Sequence, residues 1–456
     1  MIKRNNKKGF TIVELVIVIA VIAILAAVLI PTFAGIIRKA NISADTQLAK
    51  NLNNALAADE AIDGKPASFS EVLTVFRENG YVVANLNPTA AGCYFVWESE
   101  TNQIILVDSK KDYEVIYASK ELEDETPGET WYFAVSTTEE VATLKGLFAN
   151  INVLYTPKTV ADLNAALDKV YNDGGKQNLV ISEDLVLSNE QFLLNNADGE
   201  VALDLGGNTV TTTTGIAFTV TGVNEEKRFS QLTAAAGVLN VGNGNVISDT
   251  KSSFAISAIE NGTVNVENVT VDNIAEGGVA LRVLGAGATM NVNDTTILLS
   301  KAGGIEVGIG EAVFNNVTIT SVDAPETGKT FSAMCVSASR GGTLTINSGS
   351  YTAKGSAKGV VAFYPTSGTV KITGGTFTCE TASKNIFYLH ESNTNAATHT
   401  VEISGGTFNN VSFDKVTDWT ALFGNPDKSI DDFVSEIKVD TTSKPGTTIL
   451  TVVYSK

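Results

Sequence analysis

An eight-residue pattern recurs along the second half of the chain and constrains its fold more than any other feature. Its positions are apolar, free, apolar, free, turn-forming, free, hydroxyl or amide, and apolar. Eight copies, 22 to 36 residues apart, begin at Leu203, Leu239, Val264, Met290, Ala312, Leu344, Val370 and Val401, and a weaker ninth begins at Leu179. A period of this length is typical of repeat folds, in which each repeat buries its apolar side chains against the next.

The individual positions of the pattern fit short strands joined by turns. Aliphatic side chains at the first, third and eighth positions would point inward from two strands. Gly, Asn and Asp at the fifth position tolerate the left-handed backbone of a turn. Thr prevails at the seventh position, where it suits a strand and can hydrogen-bond to the neighbouring repeat. Because a further apolar segment precedes many copies, as at 255–259 and 359–364, each repeat should contain about three strands.

The repeats predict an all-β right-handed parallel β-helix solenoid over residues 151–428, which resembles the pectin-lyase-like superfold. An amphipathic pattern over 159–175 predicts a helix that caps the first coil, whose open strand edges would otherwise invite pairing. The segment 429–456 is predicted to cap the last coil with a helix over 429–437 and a hairpin. A β-sandwich is the alternative fold, but it does not require its strands to repeat in register.

The first thirty residues combine a basic start with a long apolar run. Four basic residues and no acid occupy positions 1–9, and the 21 residues from 10 to 30 contain only two polar side chains, Thr11 and Glu14. A run of that length can cross a bilayer as a helix. The excess of positive charge before it predicts an N-terminus in the cytoplasm and the bulk of the chain outside. An ordinary secretory signal has a shorter apolar core and no helical pattern beyond it.

The sequence KKG-FTIVEL, followed by the apolar run and Pro31, resembles the type IV prepilin signal shared by type IV pilins and type II secretion pseudopilins. The resemblance covers residues 1–50. It implies cleavage between Gly9 and Phe10 by a prepilin peptidase, removal of the leader 1–9, and N-methylation of the new Phe10 amine. Glu14 and Pro31 fall at the positions where the family has a glutamate and a proline.

Glu14 and Pro31 have physical consequences for the helix that contains them. A carboxylate inside the hydrocarbon layer is costly unless it is paired. We therefore predict that Glu14 of one subunit pairs with the Phe10 amine of its neighbour and fixes the stagger of a filament. Pro31 removes one backbone hydrogen bond and is predicted to kink the helix. The plain alternative is a single-span anchor in which Glu14 reaches towards the membrane surface.

The helical pattern continues past Pro31 to Asp63-Gly64, so 10–64 is predicted to form one transmembrane and stem helix. Its second half should carry an apolar stripe against a globular head. Residues 65–150 are predicted to be that head, a small α+β unit resembling the pilin head. Its predicted elements are a helix in 68–80 and antiparallel strands in 92–99, 103–109, 113–118 and 131–135.

Composition excludes several function classes. The chain has 32 basic and 50 acidic residues, and its net charge of −18 at pH 7 argues against nucleic-acid binding. Cys93, Cys335 and Cys379 are far apart and form no C-x-x-C motif, so we predict buried thiols, no metal site and no cofactor. The sequence also lacks the phosphate-binding loop, the nucleophile elbow and the zinc-protease motif.

These observations predict a non-enzymatic, surface-displayed subunit, at a minor or tip position of a type IV pilus-like filament. The expected partners are prepilin peptidase, other pilin subunits, membrane lipid and, through the β-helix, a glycan or host surface for adhesion. Two alternatives stay open. One is a membrane-tethered polysaccharide lyase or hydrolase, although the repeats stack no carboxylates and we expect Arg282, His390 and His399 to be structural or solvated. The other is a type II secretion pseudopilin.

Overall fold

The structure is a computed structural model of the chain. It describes residues 12–66, 69–81, 87–135, 138–148, 150–156, 159–163, 166, 175–181, 184–188, 192–214, 230–248, 254–272, 278–299, 301–323, 334–338, 340–363, 367–380, 385–390, 398–409, 419–425 and 429–454.

The chain divides into two compact units. The first comprises residues 1–135 and 143–153, and the second comprises residues 136–142 and 154–456. A long helix, shorter helices and an antiparallel sheet make up the first unit, whereas strands dominate the second. A long apolar helix followed by β-rich structure was expected from the sequence, and this order is observed.

Helix α1 spans Ile12–Glu60 and continues through Pro31. Its second half carries the buried stripe that the sequence predicted, formed by Asp45, Ala49, Leu52, Asn53, Ala55 and Leu56. Helix α2 spans Phe69–Glu78 and ends, as predicted, before Gly80. The φ of Gly80 is 82°, a left-handed conformation that glycine adopts without strain.

In the described part of the first unit, four antiparallel strands form the sheet. They are β1 Cys93–Glu98, β2 Gln103–Asp108, β3 Glu114–Tyr117 and β4 Trp131–Val135. The order is β3-β2-β1-β4, and α1 packs against β2 and β3. The sequence predicted all four strands. Helix α3, Thr138–Leu147, was not predicted because its residues show no clear apolar face, and strand β5, Asn152–Tyr155, follows it.

Twenty-three strands make up most of the described residues of the second unit. In chain order they are β6 Gly175–Val180, β7 Leu185–Ser188, β8 Phe192–Asp204, β9 Thr209–Thr214, β10 Ser230–Ser248, β11 Phe254–Ile259, β12 Thr263–Asp272, β13 Val279–Asn293, β14 Thr296–Leu299, β15 Gly303–Asn315, β16 Val317–Ser321, β17 Met334–Ala338, β18 Thr343–Ile346, β19 Gly349–Ala353, β20 Gly359–Phe363, β21 Gly368–Ile372, β22 Thr376–Cys379, β23 Phe387–Leu389, β24 Thr398–Ile403, β25 Thr407–Asn409, β26 Phe423–Gly424, β27 Val434–Asp440 and β28 Thr448–Tyr454.

Nearly all of these strands pair in parallel with a strand of the next repeat, and the pairings form three ladders. Ladder A contains β6, β8, β10, β12, β13, β15, β18, β21 and β24. Ladder B contains β8, β10, β11, β13, β15, β17, β20, β23 and β26. Ladder C contains β7, β9, β10, β12, β14, β16, β19, β22 and β25. Three strands per repeat is the number that the sequence indicated.

The register of ladder A agrees with the sequence pattern from the second copy onward. Leu239 lies opposite Val264, and each later first position lies opposite the next. The predicted start of the first copy, Leu203, was wrong. Val201 is the residue that lies opposite Leu239, the start of the second copy, while Leu203 lies opposite Val241. Two additional residues in the following turn restore the register at Thr209, which pairs with Asn245.

Asparagine side chains link successive repeats along ladder A. The Asn265 amide donates to Oδ1 of Asn240 at 2.7 Å, and the Asn291 amide donates to Oδ1 of Asn265 at 2.8 Å. A second series of hydrogen bonds joins Asn293, Asn315 and Asn347. The Asn315 amide donates to Oδ1 of Asn293 at 2.8 Å, and the Asn347 amide donates to Oδ1 of Asn315 at 2.9 Å. The sequence suggested Thr for bonds between repeats, and the hydroxyl groups of Thr263 and Thr289 do join two repeats at 2.9 Å. The longer amide side chain of Asn spans the distance between strands with both a donor and an acceptor.

Each of the two predicted caps of the repeat region is observed only in part. Of the helix predicted over 159–175, residues 160–163 and 166 are helical, and most of the remainder lies outside the described residues. The helix predicted over 429–437 was wrong. A 3₁₀ turn at Ile430–Asp432 leads instead into strand β27, which forms the predicted hairpin with β28. Nine residues form a marginal helix, whereas β27 gains a ladder of hydrogen bonds along β28.

Candidate functional site

The first half of α1 exposes an apolar surface. Large aliphatic side chains from Ile12 to Ile37 are about half to four-fifths exposed, between 47% and 81%. This is the one helix in the described part of the chain that is long and apolar enough to cross a membrane. A helix that exposes so many apolar side chains needs lipid or other helices around it.

The predicted processing and assembly residues do not all fall within the described chain. Gly9 and Phe10 lie outside it. Glu14 lies exposed in the first turn of α1, and Pro31 lies inside the helix. Seventeen residues separate these two, so they are about 26 Å apart along the axis at 1.5 Å per residue. The structure therefore does not bring Glu14 and Pro31 together.

Two polar side chains join the second half of α1 to the sheet side of the head. The buried carboxylate of Asp45 accepts 2.8 Å hydrogen bonds from the backbone N–H groups of Thr89 and Ala90. The amide of Asn53 donates to the carbonyl of Ile104 at 2.8 Å and accepts from its N–H at 2.6 Å. These bonds fix both the rotation and the height of α1 against the sheet.

An ion pair lies where the exposed half of α1 gives way to the packed half. Nη2 of Arg38 donates to Oδ1 of Asp108 at 2.8 Å, and the Asp108 side chain is only 1% exposed. Cys93 lies beside the pair, with its Sγ 3.9 Å from Nη2 of Arg38. Burial and the neighbouring Asp108 carboxylate raise the pKa of the Cys93 thiol, so this cysteine is an unreactive, buried group.

The sequence contains a signal for Asp45 and Asn53 that the apolar pattern of the helix alone does not show. Asp45 and Asn53 interrupt an apolar stripe at helical spacing, so each was placed to face the head rather than solvent. A polar residue in a buried stripe requires a hydrogen-bond partner. Its partner here comes from the backbone of the head, which sequence spacing does not reveal.

The surface of ladder B holds one nearly buried charged pair. Arg282 of β13 lies in register with Glu306 of β15, and Nε of Arg282 is 3.9 Å from Oε2 of Glu306. The Arg282 guanidinium also stacks over the Phe254 ring, 4.3 Å from its centroid. Arg282 thus leans on its strand neighbours, as the sequence suggested. Within the described residues, no group of three or more His, Cys, Asp or Glu side chains could hold a metal ion.

Comparison with known proteins gives matches to pilus proteins. The family model for the prokaryotic N-terminal methylation motif matches residues 4–30. The fimbrial protein of Moraxella nonliquefaciens is 31% identical over 109 residues, which are 22% of this chain and 71% of that protein. No solved structure matches the chain.

Two further relatives match over shorter segments. The type IV wide pilus major component PilA4 of Thermus thermophilus is 53% identical over 56 residues, 12% of this chain and 40% of that protein. The type IV major alpha-pilin of Moraxella bovis is 39% identical over 77 residues, 16% of this chain and 46% of that protein. The chain thus spans less than half the length of these two relatives.

Proposed function

The chain belongs to the type IV pilin family, and from this premise we propose that it is a non-enzymatic subunit of a pilus-like assembly at the cell surface. The observation that carries the proposal is the division of α1 into two halves. Its first half exposes apolar side chains, and its second half packs on the head through Asp45 and Asn53. The first half can therefore serve as a membrane anchor before assembly and as the core of a helical filament after it.

Processing and assembly follow from the same helix. A prepilin peptidase cleaves between Gly9 and Phe10, and the new Phe10 amine is methylated. The match of the methylation motif to residues 4–30 supports both steps. Glu14 of one subunit then pairs with the Phe10 amine of a neighbour, because a charge pair in a low dielectric is far less costly than a lone carboxylate. Pro31 provides the bend at which neighbouring helices can splay.

The domain organisation that we propose is a leader 1–9, a stem helix 10–64, a pilin-like head 65–150, a right-handed parallel β-helix 151–428 and a C-terminal cap 429–456. Three parallel ladders with one strand each per repeat support the β-helix. The N-terminus lies in the cytoplasm and both the head and the repeats lie outside, as the basic residues before the apolar run indicate.

Adhesion is the role that we propose for the repeats, at a minor or tip position where a large head does not obstruct the packing of neighbours. Ladder C presents mostly hydroxyl and amide side chains outward, as at Thr318, Thr320, Thr352 and Thr376, while the intervening side chains are buried. Such a surface offers hydrogen-bond donors and acceptors to a glycan or a host surface.

A polysaccharide-active enzyme is the alternative, and the Arg282–Glu306 pair does not favour it. Glycoside hydrolysis requires two converging carboxylates, whereas this pair supplies one carboxylate and one cation. Incubation of the intact chain with panels of neutral and acidic polysaccharides separates the two. Release of reducing ends or unsaturated products would establish the enzyme and refute the purely structural role.

Mass spectrometry of the mature N-terminus tests the proposed assembly role. We expect a chain that begins with N-methylated Phe10 in cells with prepilin peptidase and an uncleaved chain in cells without it. A mature protein that lacks the apolar run would contradict the proposal, because nothing would then anchor or assemble it. A pseudopilin would be processed in the same way, and its co-purification with secretion components rather than surface filaments would identify it.

A further inference from the structure

Basic side chains surround the point where α1 leaves the head. Arg38 and Lys39 follow Ile37, the last large apolar side chain that α1 exposes. Lys110 and Lys111 lie in a 3₁₀ turn directly after β2 and are exposed. We call Arg38, Lys39, Lys110 and Lys111 the basic collar.

Hydrogen bonds hold the two parts of the collar together. Oδ1 of Asp108 accepts from Nη2 of Arg38 at 2.8 Å and from the backbone N–H of Lys110 at 3.1 Å. The Ser109 hydroxyl donates to the carbonyl of Gly92 at 2.7 Å, and the Lys110 side chain runs across Gly92. The turn that carries the two lysines is therefore fixed beside the exit of the helix.

The backbone next to the turn is held in an uncommon conformation. Asp112 and Tyr113 have φ values of 56° and 60°, so two successive residues other than glycine are left-handed. For a bulky residue this conformation is strained, and it persists only where the surroundings enforce it. The buried Tyr113 ring packs edge-on against Phe148, with centroids 4.9 Å apart. This packing maintains the strained turn and keeps Lys110 and Lys111 on the outside.

The collar differs in charge from the rest of the head. Three carboxylates lie among the four cations of the collar. Two of these carboxylates form ion pairs with it, Asp108 with Arg38 and Glu114 with Lys111 at 3.0 Å. Asp112 is the third. The remainder of the head, residues 65–150, has 11 acidic and 4 basic side chains, and the whole chain has a net charge of −18. An anionic surface is therefore repelled by most of the head and tolerated at the collar.

The length of the apolar half places the collar at the level of lipid head groups. Residues 12–37 span about 39 Å at 1.5 Å per residue. The hydrocarbon layer is about 30 Å thick, and about 40–45 Å with the head groups. A helix that begins at one edge of the hydrocarbon thus extends about 9 Å past the other edge and ends at the outer side of the head groups, within reach of the long side chains of Arg38 and Lys39.

We propose that the basic collar binds the phosphate groups of anionic lipids while α1 spans the bilayer. Lysine side chains near a helix end extend towards head groups, and anionic lipids attract basic clusters next to a membrane span. The contact seats the acidic head on the membrane in one orientation, and the phosphates would be released when the subunit leaves the bilayer for a filament. This inference rests on the proposed membrane anchoring.

Hydrogen exchange of the intact chain in lipid vesicles tests the collar. Vesicles of phosphatidylcholine alone are compared with vesicles that contain phosphatidylglycerol. We expect slower exchange in peptides covering residues 105–117 in the anionic vesicles, and loss of the difference at high salt. The paired substitution Lys110→Gln and Lys111→Gln should abolish the difference. Lys65→Gln is the control, because Lys65 follows the far end of α1. That end, Glu60, lies about 33 Å along the helix axis from Arg38 at 1.5 Å per residue.

Three outcomes would overturn the inference. One is equal exchange in the two kinds of vesicle, and another is a lipid effect that survives the paired substitution. The third is protection that depends on protein concentration but not on lipid charge, because the collar would then bind the acidic head of a second copy. Flotation with vesicles measures anchoring separately, so a chain that floats without lipid-dependent exchange refutes the collar and leaves the proposed function intact.

Discussion

Asn53 and Ile104 form two hydrogen bonds that complete the edge of a strand. The Asn53 amide donates to the carbonyl of Ile104 at 2.8 Å and accepts from its N–H at 2.6 Å. Strand β3 pairs with β2 only from Leu106 onward. A side chain of α1 therefore takes the place of a neighbouring strand at Ile104, and the helix becomes part of the hydrogen bonding of the sheet.

Replacing Asn53 should loosen the head from its helix. Asn53→Ala leaves the buried N–H and carbonyl of Ile104 without partners, so we expect the free energy of unfolding to fall by about 2 kcal/mol. Urea unfolding in detergent, followed by the fluorescence of the buried Trp97 and Trp131, measures the change. Asn51→Ala on the exposed face of the same helix is the control, and an equal loss in both variants would contradict the role of Asn53.

Glu14 is expected to matter for assembly but not for insertion. Glu14→Gln removes the charge and keeps the size of the side chain, so the helix should enter the membrane at least as readily. Incorporation into filaments should fall strongly, because the partner amine loses its counter-charge. Membrane fractions and sheared filaments are compared by immunoblot. Filaments that contain the variant at the normal level would show that Glu14 has no pairing role.

Gly349 and Gly341 should respond differently to the same substitution. Both have positive φ, 121° and 85°, so alanine is strained at either position. A methyl group at Gly349 would also collide with the backbone of Val317 on the neighbouring strand, whereas the space around Gly341 is open. We expect Gly341→Ala to cost about 1 kcal/mol and Gly349→Ala about 3 kcal/mol or more. Urea unfolding followed by circular dichroism distinguishes them, and similar losses would refute the close packing at Gly349.

His399 should make the repeat unit sensitive to acid. Its ring is fully buried between Phe363 and Tyr454, with centroids 4.8 and 5.4 Å away. Burial lowers the pKa of His399 from 6.5 to about 4, against the opposing effect of a backbone hydrogen bond with Gly368. Between pH 6.5 and pH 4, His399 binds a proton in the unfolded chain but not in the folded chain. The free energy of unfolding therefore falls as the pH drops through this range. The expected loss is about 3 kcal/mol.

Unfolding free energies measured across that pH range check the prediction. His399→Phe should flatten the dependence, because phenylalanine packs without titrating, while His390→Gln should preserve it. A wild-type stability that does not change between pH 6.5 and pH 4 would show that His399 is protonated in the folded protein. An equal pH dependence of the free energy of unfolding in the two variants would show that groups other than His399 cause it.

The repeat and the head were largely predictable because their signals are local. Alternating aliphatic residues, turn-forming Asn and Gly, and the glycine after α2 each act on residues close in sequence. The start of the first repeat at Val201 was not predictable. Val201, Leu203 and Leu205 are all apolar at alternate positions, so the pattern fits equally well two residues later, and the two extra turn residues are not recognisable. Strand β27 was also missed, since only its pairing with β28 separates it from a short helix.

The candidate site shows the same limit. The apolar run and Glu14 follow from composition and spacing alone. The contacts of Arg38 with Asp108 and of Asp45 with Thr89 join residues 70 and 44 positions apart, and no periodic pattern encodes them. Long-range polar contacts depend on the three-dimensional path of the chain. The sequence therefore does not predict that Lys110 and Lys111, which follow β2, lie beside Arg38 of α1.

The reversal of chain direction at β28 marks the end of the parallel array, whatever the number of repeats before it. Strand β28 runs antiparallel to β24, whereas ladder A is otherwise parallel. A duplicated repeat inserted between β18 and β21 would meet parallel neighbours on both sides and add one rung. A duplicate placed after β24 would pair in parallel with β24 and antiparallel with β28, as β24 itself does between β21 and β28. A chain with more or fewer repeats would therefore keep the antiparallel hairpin at its last repeat.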